Sequence, residues 1–135
     1  MAIAGIAIAG LQVTYDVGQY LKDVAEAPKE LARCRQEATV LYGLLLDLLS
    51  HINQSQSGDQ WFNAVRNLGG DNGPIAQYKK AREQLASKIE KRSEPGETLK
   101  AKLLWKFKKR DVKEIFDQME RLKSLIIIAL ERDYL

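Results

Sequence analysis

Apolar positions recur at steps of three and four along nearly the whole chain, the spacing that places them on one face of a helix. Ile3, Ile6, Gly10, Val13, Val17, Leu21 and Val24 form the first such series and predict a helix over about 2–26. Pro28 breaks that run and suits the first turn of a second helix, over about 28–54. The seam of this second helix is the cleanest in the sequence: Leu31, Cys34, Ala38, Leu41, Leu45, Leu48 and Ile52 alternate the two steps. From Leu44 to Leu49 it is apolar nearly all round, which predicts that its C-terminal half is central to the core.

The tract NQSQSGDQ is a loop by composition, and Asp59 can cap a short helix over about 60–68 that Gly69 and Gly70 end. Pro74 opens another helix through Ile75, Tyr78, Ala81, Leu85 and Ile89 to about residue 92. After the breaker SEPGE, a last helical region covers about 98–133, with a kink expected around Phe107 to Arg110. Its seam is Val112, Ile115, Met119, Leu122, Ile126 and Ala129, with Phe116 and Leu130 beside it. No period-two alternation and no internal repeat interrupts the pattern. The prediction is one all-α domain over 1–135, an up-and-down four-helix bundle with an additional short helix. Leu41, Leu45, Leu48, Ile115, Met119, Leu122 and Ile126 are its expected core.

Composition narrows the function more than the fold. At 135 residues the chain can bury a core without staples, and its lone Cys34 excludes an internal disulfide and a multi-cysteine zinc site. A single unpaired cysteine suits a reducing cytosol. His51 is the only histidine, so neither a histidine metal pair nor a histidine-based triad can form. GGDNG lacks the Lys-Ser/Thr that completes a phosphate-cradling loop. Carboxylate pairs such as Glu26 and Glu30 fall on faces expected to be solvated. Catalysis is therefore not expected, and no cofactor is implied.

Charge is uneven. Residues 1–78, 79–113 and 114–135 carry net charges of −3, +8 and −2. The basic middle culminates in Lys100, Lys102, Lys106, Lys108, Lys109 and Arg110, with Trp105 and Phe107 interleaved. Such a tract is either a solvated helix face or a contact for an anionic surface, of which lipid suits Trp beside lysines better than nucleic acid does. The opposite anomaly lies at the start: MAIAGIAIAGLQV holds no charge, and the first appears at Asp16. A secretory signal would need Lys or Arg ahead of the apolar region, although Ala7-Ile8-Ala9 does have the spacing of a cleavage site. No other uncharged run approaches the roughly 20 residues of a spanning helix. The start is thus expected to be a helix that packs on the bundle through one stripe and keeps an apolar outer face with Ala4, Ile8 and Leu11.

The segment LLWKFKKRDVKEIFDQMERLKSLIIIALERDYL, together with GLQVTYDVGQYLKDV and DQWFNAVRNLGGDNGPIAQY, resembles the HeLo-like (HELL) N-terminal domains of fungal NACHT-type (STAND, NLR-like) receptors. These are relatives of the HeLo toxins and of the MLKL-type four-helix bundle. The resemblance implies a cytoplasmic effector domain that clusters on activation, moves to the plasma membrane and permeabilises it in regulated cell death, as in heterokaryon incompatibility and fungal innate immunity. It carries the family's functional region over to Ala2 through Gly10, which makes Ile3, Ala4, Gly5, Ile6, Ile8, Ala9, Gly10 and Leu11 the candidate membrane-inserting residues, while the residues themselves make Lys100 to Arg110 the candidate contact for anionic lipid. The implied partners are anionic lipids, further copies of the chain, and proteins met through helix faces. The alternative is a non-lytic module that recruits a downstream partner.

Overall fold

A computed structural model describes residues 3–22, 29–54, 61–90 and 98–133. Among these the regular secondary structure is all helix, with a turn over 69–73: α1 (Ile3–Lys22), α2 (Lys29–Gln54), α3 (Trp61–Leu68), α4 (Pro74–Glu90) and α5 (Thr98–Asp133). Pro74 stands at the first position of α4, where its missing N–H is no loss, and the Gln77 N–H donates to the Gly73 carbonyl at 3.0 Å. Asn72 takes the left-handed conformation (φ 58°) that lets the chain reverse between α3 and α4. The kink expected near Phe107 does not interrupt α5, which runs as one helix; no proline or glycine lies between Thr98 and Asp133 to break it. The expected cap at Asp59 and the stretches around Val24 and Pro28 lie outside the described residues.

The predicted seams meet in one core. Cys34, Ala38, Leu41, Leu45, Leu48 and Ile52 of α2 are buried, as are Val112, Ile115, Met119, Leu122, Ile126 and Ala129 of α5. Ile6, Val13, Val17 and Leu21 of α1 join them, with Val65 and Leu68 of α3 and Ile75, Tyr78, Ala81 and Leu85 of α4.

The long helices form a ring in which α1 touches α2 and α4, and α5 touches the same two. Gly10 lies against Leu45, while Gly18 shares a cleft with Arg35 and Ala38, so α1 and α2 run antiparallel. Along α1 and α4 the pairs Thr14–Tyr78 and Asp16–Arg82 advance together, so these neighbours are parallel. So are α2 and α5, through Arg33–Phe116 and Glu37–Lys123. A simple up-and-down order would have placed α2 beside α4. Instead the chain crosses the diagonal between them, and α3, in contact with α1, α4 and α5, occupies that crossing.

The position of α2 explains a second departure. Its C-terminal half is not enclosed: Leu46 is 47% exposed, and Leu44 and Leu49 are only partly buried. Long neighbours cover α2 on two sides, α1 and α5, which leaves its outward third to solvent.

Candidate functional site

The uncharged stretch of α1 is divided sharply by burial. Ile6 and Ala7 are 4% and 0% exposed, whereas Ile8 is 51% exposed. Two close approaches hold the buried side. A Cβ on Gly10 would lie 2.9 Å from Leu45 Cδ2, so the lack of a side chain lets α1 come down onto α2. A Cβ on Gly69, at the end of α3, would lie 2.6 Å from Ile6 Cγ1. Ile6 therefore fills the space that Gly69 leaves open. Ile3, Ala4, Ala9 and Leu11 pack against the core while partly exposed, and Gly5 is also partly exposed.

A buried polar chain joins α1 to α4. The Tyr78 hydroxyl donates to Thr14 Oγ1 at 3.1 Å, and the Thr14 hydroxyl donates to the Gly10 carbonyl at 2.8 Å. Thr14 is 2% exposed and Tyr78 fully buried, so each hydroxyl needs this partner. Burial raises the Tyr78 phenol well above its ordinary value, opposed in part by the bond to Thr14. Arg82 and Asp16 add an outer ion pair at 3.7 Å. Sequence reading placed Tyr78 in an apolar run and overlooked Thr14. The signal was present, because Thr14 falls four residues after Gly10 and three before Val17, on the same face.

Beside this chain, α1 and α2 enclose a cleft of about 290 Å³ lined by Thr14, Tyr15, Gly18, Gln19, Arg35, Ala38, Thr39 and Tyr42. None of the described residues that line it is acidic. Arg35 Nε is buried without a hydrogen-bond partner. This cleft was not foreseen, since it is made by two helices whose register along each other the sequence does not state.

On the far side of α2, Lys123 bridges Glu37 at 2.8 Å and Glu120 at 3.0 Å. The hydrogen bond from Lys123 holds the Glu37 carboxyl below the usual range, and its bonds to Glu37 and Glu120 raise Lys123 in turn. Burial, and then the Glu37 charge, push the Cys34 thiol up to about 12. Of the basic tract, Lys100, Lys102, Lys106, Lys108 and Lys109 lie on helical backbone, but their side chains fall outside the described residues; Arg110 is exposed. Among the described residues no group of three or more His, Cys, Asp or Glu gathers, and no helix is long and apolar enough to cross a membrane. Comparison with known proteins finds no matching family model, no matching curated protein and no matching solved structure.

Proposed function

We propose that this chain is a membrane-targeting effector domain of the HeLo-like kind, a four-helix bundle of α1, α2, α4 and α5 with α3 as its cap. On activation of a fungal NLR-like receptor, copies of the domain cluster, move from the cytoplasm to the plasma membrane and permeabilise it through α1, causing regulated cell death. One observation carries this reading: α1 has no charge from Ile3 to Tyr15, yet turns Ile8 outward, opposite the buried Ile6. A helix that met only water on that face would gain nothing from an isoleucine there. An apolar face of this kind can seat in the headgroup boundary of a bilayer.

Length limits what one copy can do. Ile3 to Tyr15 spans only about 20 Å as a helix, short of the roughly 30 Å hydrocarbon core. Clustering supplies what a single helix lacks, and the Lys100 to Arg110 tract supplies attraction to anionic lipid. No catalytic step is involved.

The test is a pair of substitutions, Ile8→Glu and Ile6→Glu, each made in a clustered form and assayed for dye release from anionic liposomes. Ile8→Glu is expected to keep the fold and abolish leakage. Ile6→Glu should also unfold the bundle, since it buries an unpaired charge against Gly69. Leakage at the wild-type level from a folded Ile8→Glu protein would exclude α1 as the membrane-active element.

A second reading, a non-lytic recruitment module, draws on different residues. Val40, Ile127 and Ile128 are exposed on α2 and α5, away from α1, at 45%, 39% and 46%. Stable capture of a protein partner that these residues control, without leakage, would favour it.

A further inference from the structure

We propose that the seam between α1 and α2 is a binding site for a single-chain anionic amphiphile, a molecule with a carboxylate or phosphate-monoester head and one acyl tail. The inference does not depend on the membrane reading, because it concerns a soluble ligand and the resting fold.

The head end is the cleft. Arg35 offers a guanidinium whose buried Nε has no partner, and none of the described residues that line the surrounding wall is a carboxylate. Tyr15, Gln19, Thr39 and Tyr42 put three hydroxyls and an amide around the same space. Its volume of about 290 Å³ is at the lower end for small-molecule sites, which run from about 300 to 1,000 Å³. That suits a headgroup better than a whole drug-sized ligand. An acidic head would give the buried N–H an acceptor and form a charge-assisted hydrogen bond with the guanidinium.

The tail end follows from the antiparallel register. Moving along α1 from Gly18 toward its N-terminus leads past Tyr15 and Leu11 to Ile8; moving along α2 from Arg35 leads past Tyr42 to Leu46 and Leu49. Gly10 against Leu45 fixes these two series side by side. Among the described residues, four of the seven exposed large hydrophobics, Ile8, Tyr15, Tyr42 and Leu46, lie on this one seam, so their exposure is concentrated rather than scattered. Neither helix carries a charge there: α1 has none from Ile3 to Tyr15, and α2 none from Ala38 to Leu46. Gly18 to Ile8 covers about 15 Å of helix, the reach of a medium-length acyl chain. A cation at one end and an uncharged apolar track at the other match a ligand of the same polarity. A free inorganic anion would leave the track empty, and a neutral lipid would leave Arg35 unpaired.

The experiment titrates the isolated chain with sodium laurate and with dodecyl phosphate below their micellisation concentrations, followed by calorimetry and by amide chemical shifts. Both probes are expected to bind saturably, one per chain, shifting Gly18, Ala38 and Thr39 together with Leu11 and Leu46. Arg35→Gln should weaken binding about tenfold or more, the loss of one charged contact. Leu46→Gln should also weaken it, and melting temperatures show whether both variants stay folded. Inorganic phosphate binding as tightly as dodecyl phosphate would overturn the tail and leave a free-anion site. Dodecyl maltoside binding as tightly as laurate, or affinity for laurate unchanged in folded Arg35→Gln, would overturn the head. Absence of saturable binding overturns the proposal, whatever the liposome assay shows; loss of leakage with laurate binding intact would count only against the membrane function.

Discussion

Gly69 and Ile6 show how one missing side chain can place a whole helix. The β-branched Ile6 enters the space where a Cβ on Gly69 would lie 2.6 Å from Cγ1 and 2.7 Å from Cδ1. Gly69→Ala should therefore cost about 1–3 kcal/mol by overpacking. In an Ile6→Ala background the same substitution should cost almost nothing, which chemical denaturation of the four proteins would measure. Buried titratable groups make a different prediction. The Cys34 thiol is raised from 9.0 to about 12, so its contribution to stability is complete below about pH 9 and is lost between pH 9 and 12. Tyr78 is raised as well and acts in the same direction at higher pH. Cys34→Ala should flatten the fall in melting temperature between pH 9 and 11, and a fall identical to wild type would assign alkaline instability elsewhere. Glu37 has the opposite sign: its lowered value stabilises at neutral pH and is lost in acid. The seam residues were legible in the sequence because period alone reveals them. The same period puts Thr14 on the buried face, but its partner was not legible, because a threonine among apolar residues does not announce that a tyrosine from another helix will meet it.

At the scale of elements, helix limits were readable where proline or glycine marks them. Pro74 opens α4 as expected, and Gly69 follows the last residue of α3. The covering of each helix was less readable. A continuous apolar tract such as Leu44 to Leu49 looks central, but whether its third side is buried depends on how many neighbours the helix has. For α2 the long neighbours are two, and Leu46 stays outside. The basic N-terminal half of α5 makes the element's own prediction. If Lys106, Lys108 and Lys109 face an anionic bilayer, each contributes about 1 kcal/mol, weakening as salt screens it. Replacing all three with Gln should reduce sedimentation with acidic liposomes sharply at low salt and leave the melting temperature nearly unchanged. Equal sedimentation of variant and wild type would show a merely solvated face.

For the whole molecule, helix content was plain from periodicity, whereas the ring order was not, since nothing in one seam says which other seam it meets. That order has a consequence for how the chain could be divided. Because α1 pairs with α2, α4 pairs with α5, and the diagonal crossing separates the two pairs, the protein is two helical hairpins laid against each other. Each carries half of the core: Leu41, Leu45 and Leu48 on one side, and Met119, Leu122 and Ile126 on the other. A chain cut between Gln54 and Trp61 should therefore yield two fragments that are poorly ordered apart and regain full helicity when mixed one to one, as circular dichroism would record. Fragments that fail to recombine would mean that the crossing itself is needed to build the core. If they do recombine, the hairpins of two intact copies can be exchanged through the same surfaces. Such exchange would join neighbouring molecules while keeping every α1 in its native seat, with Ile6 on Gly69 and Thr14 on Tyr78. Assembly and the unmasking of α1 would then be separate events, each open to its own control.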